Sequence, residues 1–226
     1  MPLSPTVVIS CAGMATRLGM GMTKALIDIC GKPLLHWQLA MLREVKDVRV
    51  VVGHQADQVI ECALAARRDI TFVFNHAYQT TGTAKSLCLA ALGVQGDIVS
   101  LDGDLLVVPQ DFGNFLDADT ALVGCLPISS SQPVMVETSG DKLGAMVTAF
   151  SMERGTAEWS GLARVSAEQL RRANDEGRAE GHVYHMLEPL LPLPVIEVRA
   201  TEVDTIDDYE RALIWMQQYR DAWENS

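Results

Sequence analysis

The sequence predicts an α/β protein with a mostly parallel central sheet and helices on both faces, from two observations. Along the front half, short β-branched apolar runs alternate with stretches of helical spacing. Those runs are also continuously apolar, as strands buried on both faces are, so helices must cover them above and below. Right-handed βαβ crossovers then make neighbouring strands parallel.

The elements follow in order. Thr6–Cys11 (TVVISC) reads as the first buried strand. Pro33 opens a helix running to about Val45, since proline is at home in a first helical turn. Val48–Gly53 is a second strand, and Ala56–Ala66 a helix with Val59, Ile60, Ala63 and Leu64 on one face. Ile70–Phe74 is a third strand. Ala84, Leu87, Cys88, Ala91 and Leu92 then fall on one stripe of a third helix. Asp97–Leu101 is a fourth strand. From about Ala121 the rhythm changes: Ala121–Leu126, Leu143–Phe150 and Trp159–Val165 read as strands without long helices between them. Leu187–Pro194 is a proline-punctuated connection and Val195–Val203 a last strand. Asp207–Trp223 is an amphipathic helix, with Thr205 and Asp208 as its start signal.

Size and charge bound the function. The chain has 226 residues, 18 Lys+Arg against 29 Asp+Glu, a net charge of −11 and 48% hydrophobic residues. No linker, repeat or low-complexity tract divides it, so residues 1–226 are expected to form one domain. So acidic a chain lacks the basic face of a nucleic-acid binder, but a few cations and a metal ion can still dominate one pocket. Five cysteines, none with zinc spacing, suggest free thiols, with Cys11, Cys88 and Cys125 buried in apolar runs. The start MPLSPTVVIS has no basic n-region or long apolar h-region, and no run nears ~18 apolar residues. The expectation is a cytoplasmic protein with no membrane partner, monomeric or homodimeric.

In open α/β sheets ligands collect beyond the carboxyl ends of the strands, so the residues there are the candidates. After the first strand, Ala12–Gly19 and Met20–Lys24 hold three glycines with Arg17 and Lys24: backbone N–H groups and two cations suited to a polyphosphate, or else an ordinary surface loop. It is neither GxGxxG nor a P-loop. After the fourth strand stand Asp102, Gly103 and Asp104. Two carboxylates there call for a divalent cation, although Asp-Gly alone also marks a turn. After the last strand, Asp204 is either a second metal carboxylate or a helix cap.

With these in place, the run AGMATRLG…TKALIDICGKPLL (Ala12–Leu35) resembles the signature of the nucleotidylyltransferases that activate sugar phosphates and related small phosphates. Within that superfamily the chain is most similar to bacterial choline-phosphate cytidylyltransferases and related phosphonate cytidylyltransferases. The shared blocks include Phe72–Leu87, Ile98–Leu106, Glu158–Leu170 and Thr201–Ala212. The resemblance implies a glycosyltransferase-A-like (Rossmann-like) three-layer fold with a mixed, mostly parallel sheet. It also implies Mg²⁺-dependent transfer of NMP from an NTP, CTP above all, with release of pyrophosphate. It assigns Asp104 and Asp204 to the metal and Arg17 and Lys24 to the triphosphate. Ala12, Gly13, Gly82, Thr83, Ser86 and Asp102, together with Arg17 and Lys24, fall to the nucleotide. About 1–120 would hold the NTP and about 121–226 the acceptor. Three departures stand out: Ala15 replaces a usual glycine, Thr23 replaces a usual proline before Lys24, and the loop from Arg17 to Lys24 is shorter than usual. These lean toward the similar molybdopterin-nucleotide transferases, which rank lower because Asp-Gly-Asp stands after the fourth strand where they usually have Asp-x-Pro.

Aromatics are only 6% of the chain, and the set that the back half offers looks less like a cage for a cation than a site for an anion. A small phosphate or phosphonate acceptor bearing a carboxylate or other polar group is therefore expected, contacting Lys85, Trp159, Arg164 and Tyr184. Arg154, His182 and His185 lie in the same half; Lys85 reads more readily as a solvated helix residue than as a ligand. TGTA (Thr81–Ala84) resembles an element of sugar-1-phosphate nucleotidylyltransferases, which makes an NDP-sugar product the alternative. A nucleotide-binding regulatory protein without catalysis is the reading from another class.

Overall fold

The computed structural model describes residues 4–15, 17–19, 21–118, 120–130, 132–140 and 145–224. Thr16 and Met20 of the candidate loop, and Leu143 and Gly144 of the expected strand Leu143–Phe150, lie outside the described residues. In chain order come β1 (Thr6–Ser10), β2 (Asp28–Ile29), β3 (Lys32–Pro33), α1 (Leu34–Met41), β4 (Val48–Val52) and α2 (Ala56–Ala66). Next are β5 (Thr71–Phe74), α3 (Thr83–Ala90), β6 (Asp97–Asp102), β7 (Leu105–Val107), α4 (Pro109–Leu116) and β8 (Leu122–Leu126). The rest comprises β9 (Met135–Ser139), β10 (Met146–Ser151), β11 (Ala157–Ser166), α5 (Ala167–Asp175), α6 (Val183–Leu187), β12 (Leu193–Glu197), β13 (Ala200–Glu202) and α7 (Ile206–Glu224).

Nine strands form the central sheet in the order β5-β4-β1-β6-β11-β8-β12-β10-β9. β5, β4, β1 and β6 are parallel, as the alternating front half requires. β11 then runs antiparallel to both β6 and β8, and β12 returns parallel to β8. The sheet is therefore mixed. Residue alternation sends Val7, Ile9, Val50 and Val52 to one face, against α1, α2 and α4. Val8, Val51 and Ile98 point to the other, against α3, α5 and α6. These are the three layers. Helix α7 packs on the outer side of α1 through Ala212, Met216 and Trp223 around Trp37. Cys11, Cys88 and Cys125 are buried as expected.

The short strands β2, β3 and β7, and the longer elements α4, β9 and α5, escaped the sequence reading. For α5 a signal was present: Ser166 and Gln169 form a reciprocal capping box, each side chain bonded to the other's backbone N–H. The expected strand Val195–Val203 is two strands. The chain leaves the sheet at Arg199, whose N–H and guanidinium are taken by Asp111 at 2.7–2.8 Å. It then re-pairs as β13 with β7. These bonds hold the Asp111 carboxyl below the usual carboxylate range. No helix among the described residues is long and apolar enough to cross a membrane.

Candidate active site

Strand order reverses at β1: β4 and β5 lie to one side, β6 and the rest to the other. The carboxyl ends of β1 and β6 are adjacent, Ser10 opposite Asp102. This is the switch point at which α/β sheets open a crevice, and a cleft of about 610 Å³ lies there. Gly13, Arg17, Lys24, Thr83, Asp102, Asp104, Trp159, Tyr184 and Asp204 all line it.

Two chain segments about a hundred residues apart supply its acids. The β7–β13 ladder pairs Leu105 with Glu202, and the Val203 N–H donates to the Asp104 carbonyl at 3.0 Å. One ligand oxygen each from Asp104, Glu202 and Asp204 then lie within 4.8 Å of one another. Glu202 is the member that sequence reasoning missed. Its signal was the spacing E-V-D, which puts residues 202 and 204 on one side of an extended chain. Gln38 of α1, also missed, donates its amide to the carbonyls of Asp102 and Leu105 at 2.8 Å and so clamps the Asp-Gly-Asp turn.

Lys24 sits between the acids, its Nζ 2.5 Å from Asp104 Oδ2 and 2.5 Å from Asp204 Oδ1. Arg17 reaches the other oxygen of Asp204 at 2.5 Å. Burial works against the Lys24 charge, but the Asp104 and Asp204 carboxylates outweigh it and hold its pKa above the ordinary value. Asp204 is thus no mere helix cap. That task falls to Thr205 and Asp208, bonded reciprocally at 2.8 and 3.2 Å.

Asp102 lies deeper. Burial first, then the charge of Asp104, pushes its carboxyl up to about 8, with Lys24 pulling the other way. Its Oδ1 is buried and has no hydrogen-bond partner among the described residues. Room for it comes from Gly161, at φ 85° in the bulge of β11, where a Cβ would stand 2.6 Å from Asp102 Oδ2. Burial, then Asp104, likewise pushes Glu202 up to about 9. A cluster of hard carboxylate oxygens with an orphaned buried member suits a small divalent cation such as Mg²⁺.

The remaining candidates divide. Thr83 lines the cleft from the start of α3. Behind it Gly82 abuts the Gly181 carbonyl so closely that a Cβ would stand 2.1 Å from that oxygen. Ala12 is buried, its carbonyl accepting from His54 N–H at 3.1 Å. Ser86 is buried and accepts from Asn75 at 3.1 Å. Ala15 takes a left-handed φ of 50°, the conformation that a glycine adopts freely. Trp159, Tyr184 and His182 form an aromatic wall, Tyr184 stacked on His182 and edge-on to Trp159.

Arg164, expected at the acceptor, lies elsewhere. It is buried at the amino end of β6, bonded to Asp97 at 2.9–3.0 Å and to the Leu116 carbonyl at 2.6 Å. Its position in β11 faces the start of its neighbour strand rather than the end, which the sequence cannot show. Lys85 is not among the cleft's lining residues, and Arg154 pairs with Glu137 at 2.7 Å on the surface. His185 Nδ1 accepts from the His182 N–H at 3.3 Å, turning the pair to local capping.

Comparison with known proteins supports this architecture. The structure is similar to "the inositol-1-phosphate CTP transferase from T. maritima" (TM-score 0.79, 16% identity, 96% of this chain and 98% of that one). It is also similar to CTP:phosphocholine cytidylyltransferase (LicC) from Streptococcus pneumoniae (TM-score 0.75, 19% identity, 94% and 99%). In sequence the chain is 31% identical over 178 residues to the bifunctional protein GlmU of Chromohalobacter salexigens, covering 74% of this chain and 39% of that protein. It is 32% identical over 114 residues to GlmU of Geotalea daltonii, covering 49% and 25%. The chain thus spans only a quarter to two-fifths of these curated relatives. The family model for MobA-like NTP transferase domains matches residues 7–177, three-quarters of the chain, and the chain therefore belongs to that family of nucleotidyltransferase domains.

Proposed function

We propose that the chain transfers CMP from CTP to a small phosphate or phosphonate acceptor and releases pyrophosphate, with Mg²⁺ as cofactor, in the cytoplasm. The observation that carries this is the meeting of Arg17, Lys24 and the carboxylates of Asp104, Glu202 and Asp204 in one cleft at the β1–β6 switch point. Cytosine is favoured because two of the similar structures are named for CTP. The front half would hold the NTP and the back half the acceptor, with Glu202 and Asp204 returning to complete the phosphate site.

An acceptor oxygen attacks the α-phosphorus as the bond to the bridging oxygen of the β-phosphate breaks, and pyrophosphate departs with that electron pair. An acceptor phosphate is already anionic near neutral pH, so no side chain need remove a proton. Asp104, Glu202 and Asp204 would hold Mg²⁺, which when bound supplies positive charge to the reacting phosphates. Lys24 exchanges its carboxylate partners for the triphosphate, and with Arg17 neutralises charge growing on the leaving pyrophosphate. The backbone at Gly13 and the side chain of Thr83 position the nucleoside.

Arg17 and Lys24 are the only Lys or Arg side chains lining the cleft among the described residues. Beyond the phosphate, the acceptor meets Ser130, Gln132, Trp159, His182 and Tyr184. With Glu158 beside them and no further Lys or Arg at the cleft among the described residues, that lining disfavours an extra carboxylate on the acceptor. A sugar 1-phosphate is the second reading, favoured by the segment TGTA (Thr81–Ala84), which reaches the cleft through Thr83. A panel of NTPs against choline phosphate, sugar 1-phosphates and phosphonates, scored by pyrophosphate release, tests both. The highest turnover is expected with CTP, and Asp104→Ala should lower it by roughly a thousandfold. Undiminished turnover in that variant removes the metal assignment, and no turnover with any pair favours the non-catalytic reading.

A further inference from the structure

Gln55 occupies the turn between β4 and α2, outside the cleft, in a backbone conformation that a side chain rarely takes: φ 51°, ψ 38°. Such strain persists where surrounding contacts impose it, and here they are specific. The side-chain Oε1 accepts from the Thr23 N–H at 2.7 Å. The Nε2 of the same amide donates to the Gly21 carbonyl at 3.2 Å. One amide thus brackets the segment just before Lys24 from both sides. Thr23 is buried, so its N–H has no solvent to turn to if the acceptor is removed. The next residue, Lys24, opens the 3-10 turn Lys24–Leu26 and reaches 2.5 Å to each of Asp104 and Asp204.

We propose that Gln55 is the positioning residue for Lys24. It touches neither acid, and it sets the loop from which Lys24 reaches them and, on the nucleotidyl-transfer reading above, the triphosphate. The backbone of Thr23, at φ −65° and ψ 144°, lies where proline is fixed. A proline there would supply the same conformation without an N–H to satisfy, so it should do by covalent constraint what Gln55 does by hydrogen bonding.

The test uses Gln55→Gly, Thr23→Pro and their combination. Glycine holds φ 51° without strain, so Gln55→Gly removes the side chain while easing the backbone, and its Tm is expected to stay close to wild type. The first readout is independent of activity: acylation of lysines by an amine-selective reagent, followed by mass spectrometry, with exposed Lys46 as internal reference. Lys24 is expected to be protected in the wild type and to label roughly tenfold faster in Gln55→Gly, the size expected when a buried N–H loses its acceptor. Adding Thr23→Pro should restore most of that protection. The second readout is kcat/KM for the NTP, which should fall by roughly tenfold in Gln55→Gly and recover in the double variant. In a Lys24→Met background, Gln55→Gly should add nothing. Unchanged Lys24 labelling, equal acceleration at Lys46, or failure of Thr23→Pro to rescue would each overturn the proposal. Absence of transfer in the wild type would instead remove the functional reading, leaving the labelling to decide the role of Gln55.

Discussion

Replacing Lys24 by methionine removes the one cation held between Asp104 and Asp204 at 2.5 Å to each. Taking away one partner of a buried ion pair costs about 3–5 kcal/mol, because the charges left behind have lost their water and their counterion. Two features of this site favour the lower end. Arg17 still holds Asp204, and burial, then the charge of Asp104, pushes the Asp102 and Glu202 carboxyls up, toward their neutral forms. A loss of about 3 kcal/mol in a chain of this length corresponds to a Tm lower by roughly 6–12 °C. That loss should appear in chelator. Mg²⁺ at ~100 times its Kd returns about 2.7 kcal/mol, so the variant should regain most of its Tm. The wild type should gain less from Mg²⁺, since an ion entering there must first displace Lys24. Calorimetry of both proteins in EDTA and across a Mg²⁺ series measures this. Equal Tm values in EDTA, or the same Mg²⁺ increment in both proteins, would refute the claim that lysine and metal share these carboxylates.

Three further outcomes follow from the geometry. Arg164→Ala should leave pyrophosphate release within about twofold while lowering stability by about 2 kcal/mol in urea titrations, because Asp97 and the Leu116 carbonyl lose their donor. Gly82→Ala would set a Cβ 2.1 Å from the Gly181 oxygen and 2.7 Å from its carbonyl carbon. Forcing apart the segments that carry Thr83 and Tyr184 should cost about 2 kcal/mol in Tm-derived stability and raise KM for the acceptor. Asp111 titrates below its unfolded value because of Arg199. Its stabilising contribution is therefore complete above the unfolded pKa of about 3.9 and is lost as pH falls through the lower folded value. Asp111→Asn should flatten the acid limb of stability measured between about pH 2 and pH 6.

Much of this molecule was legible before any coordinates. The front-half strands and helices announce themselves because both faces of β1, β4 and β6 are buried, which demands continuous apolar runs, while α2 and α3 show their stripes. Arg17, Lys24, Asp104 and Asp204 were each readable by position at a strand's end. The back half was harder. There β9 and β10 form a partly exposed antiparallel pair, whose mixed residues carry no clear period. The bend at Arg199 is enforced by Asp111, far away in sequence.

By itself, then, the sequence determined the class of fold and set out Arg17, Lys24, Asp104 and Asp204 as candidates beyond the strand ends, since these follow from local period and from the residues that come after each strand. Tertiary structure alone decided that Glu202 joins Asp104 and Asp204, that Arg164 serves the far end of the sheet, and that Gln38 and Gln55 hold the two loops in place. Those outcomes depend on strand register and on hydrogen bonds spanning tens of residues. A one-residue change in register would send a different side chain into the cleft while leaving every local pattern intact.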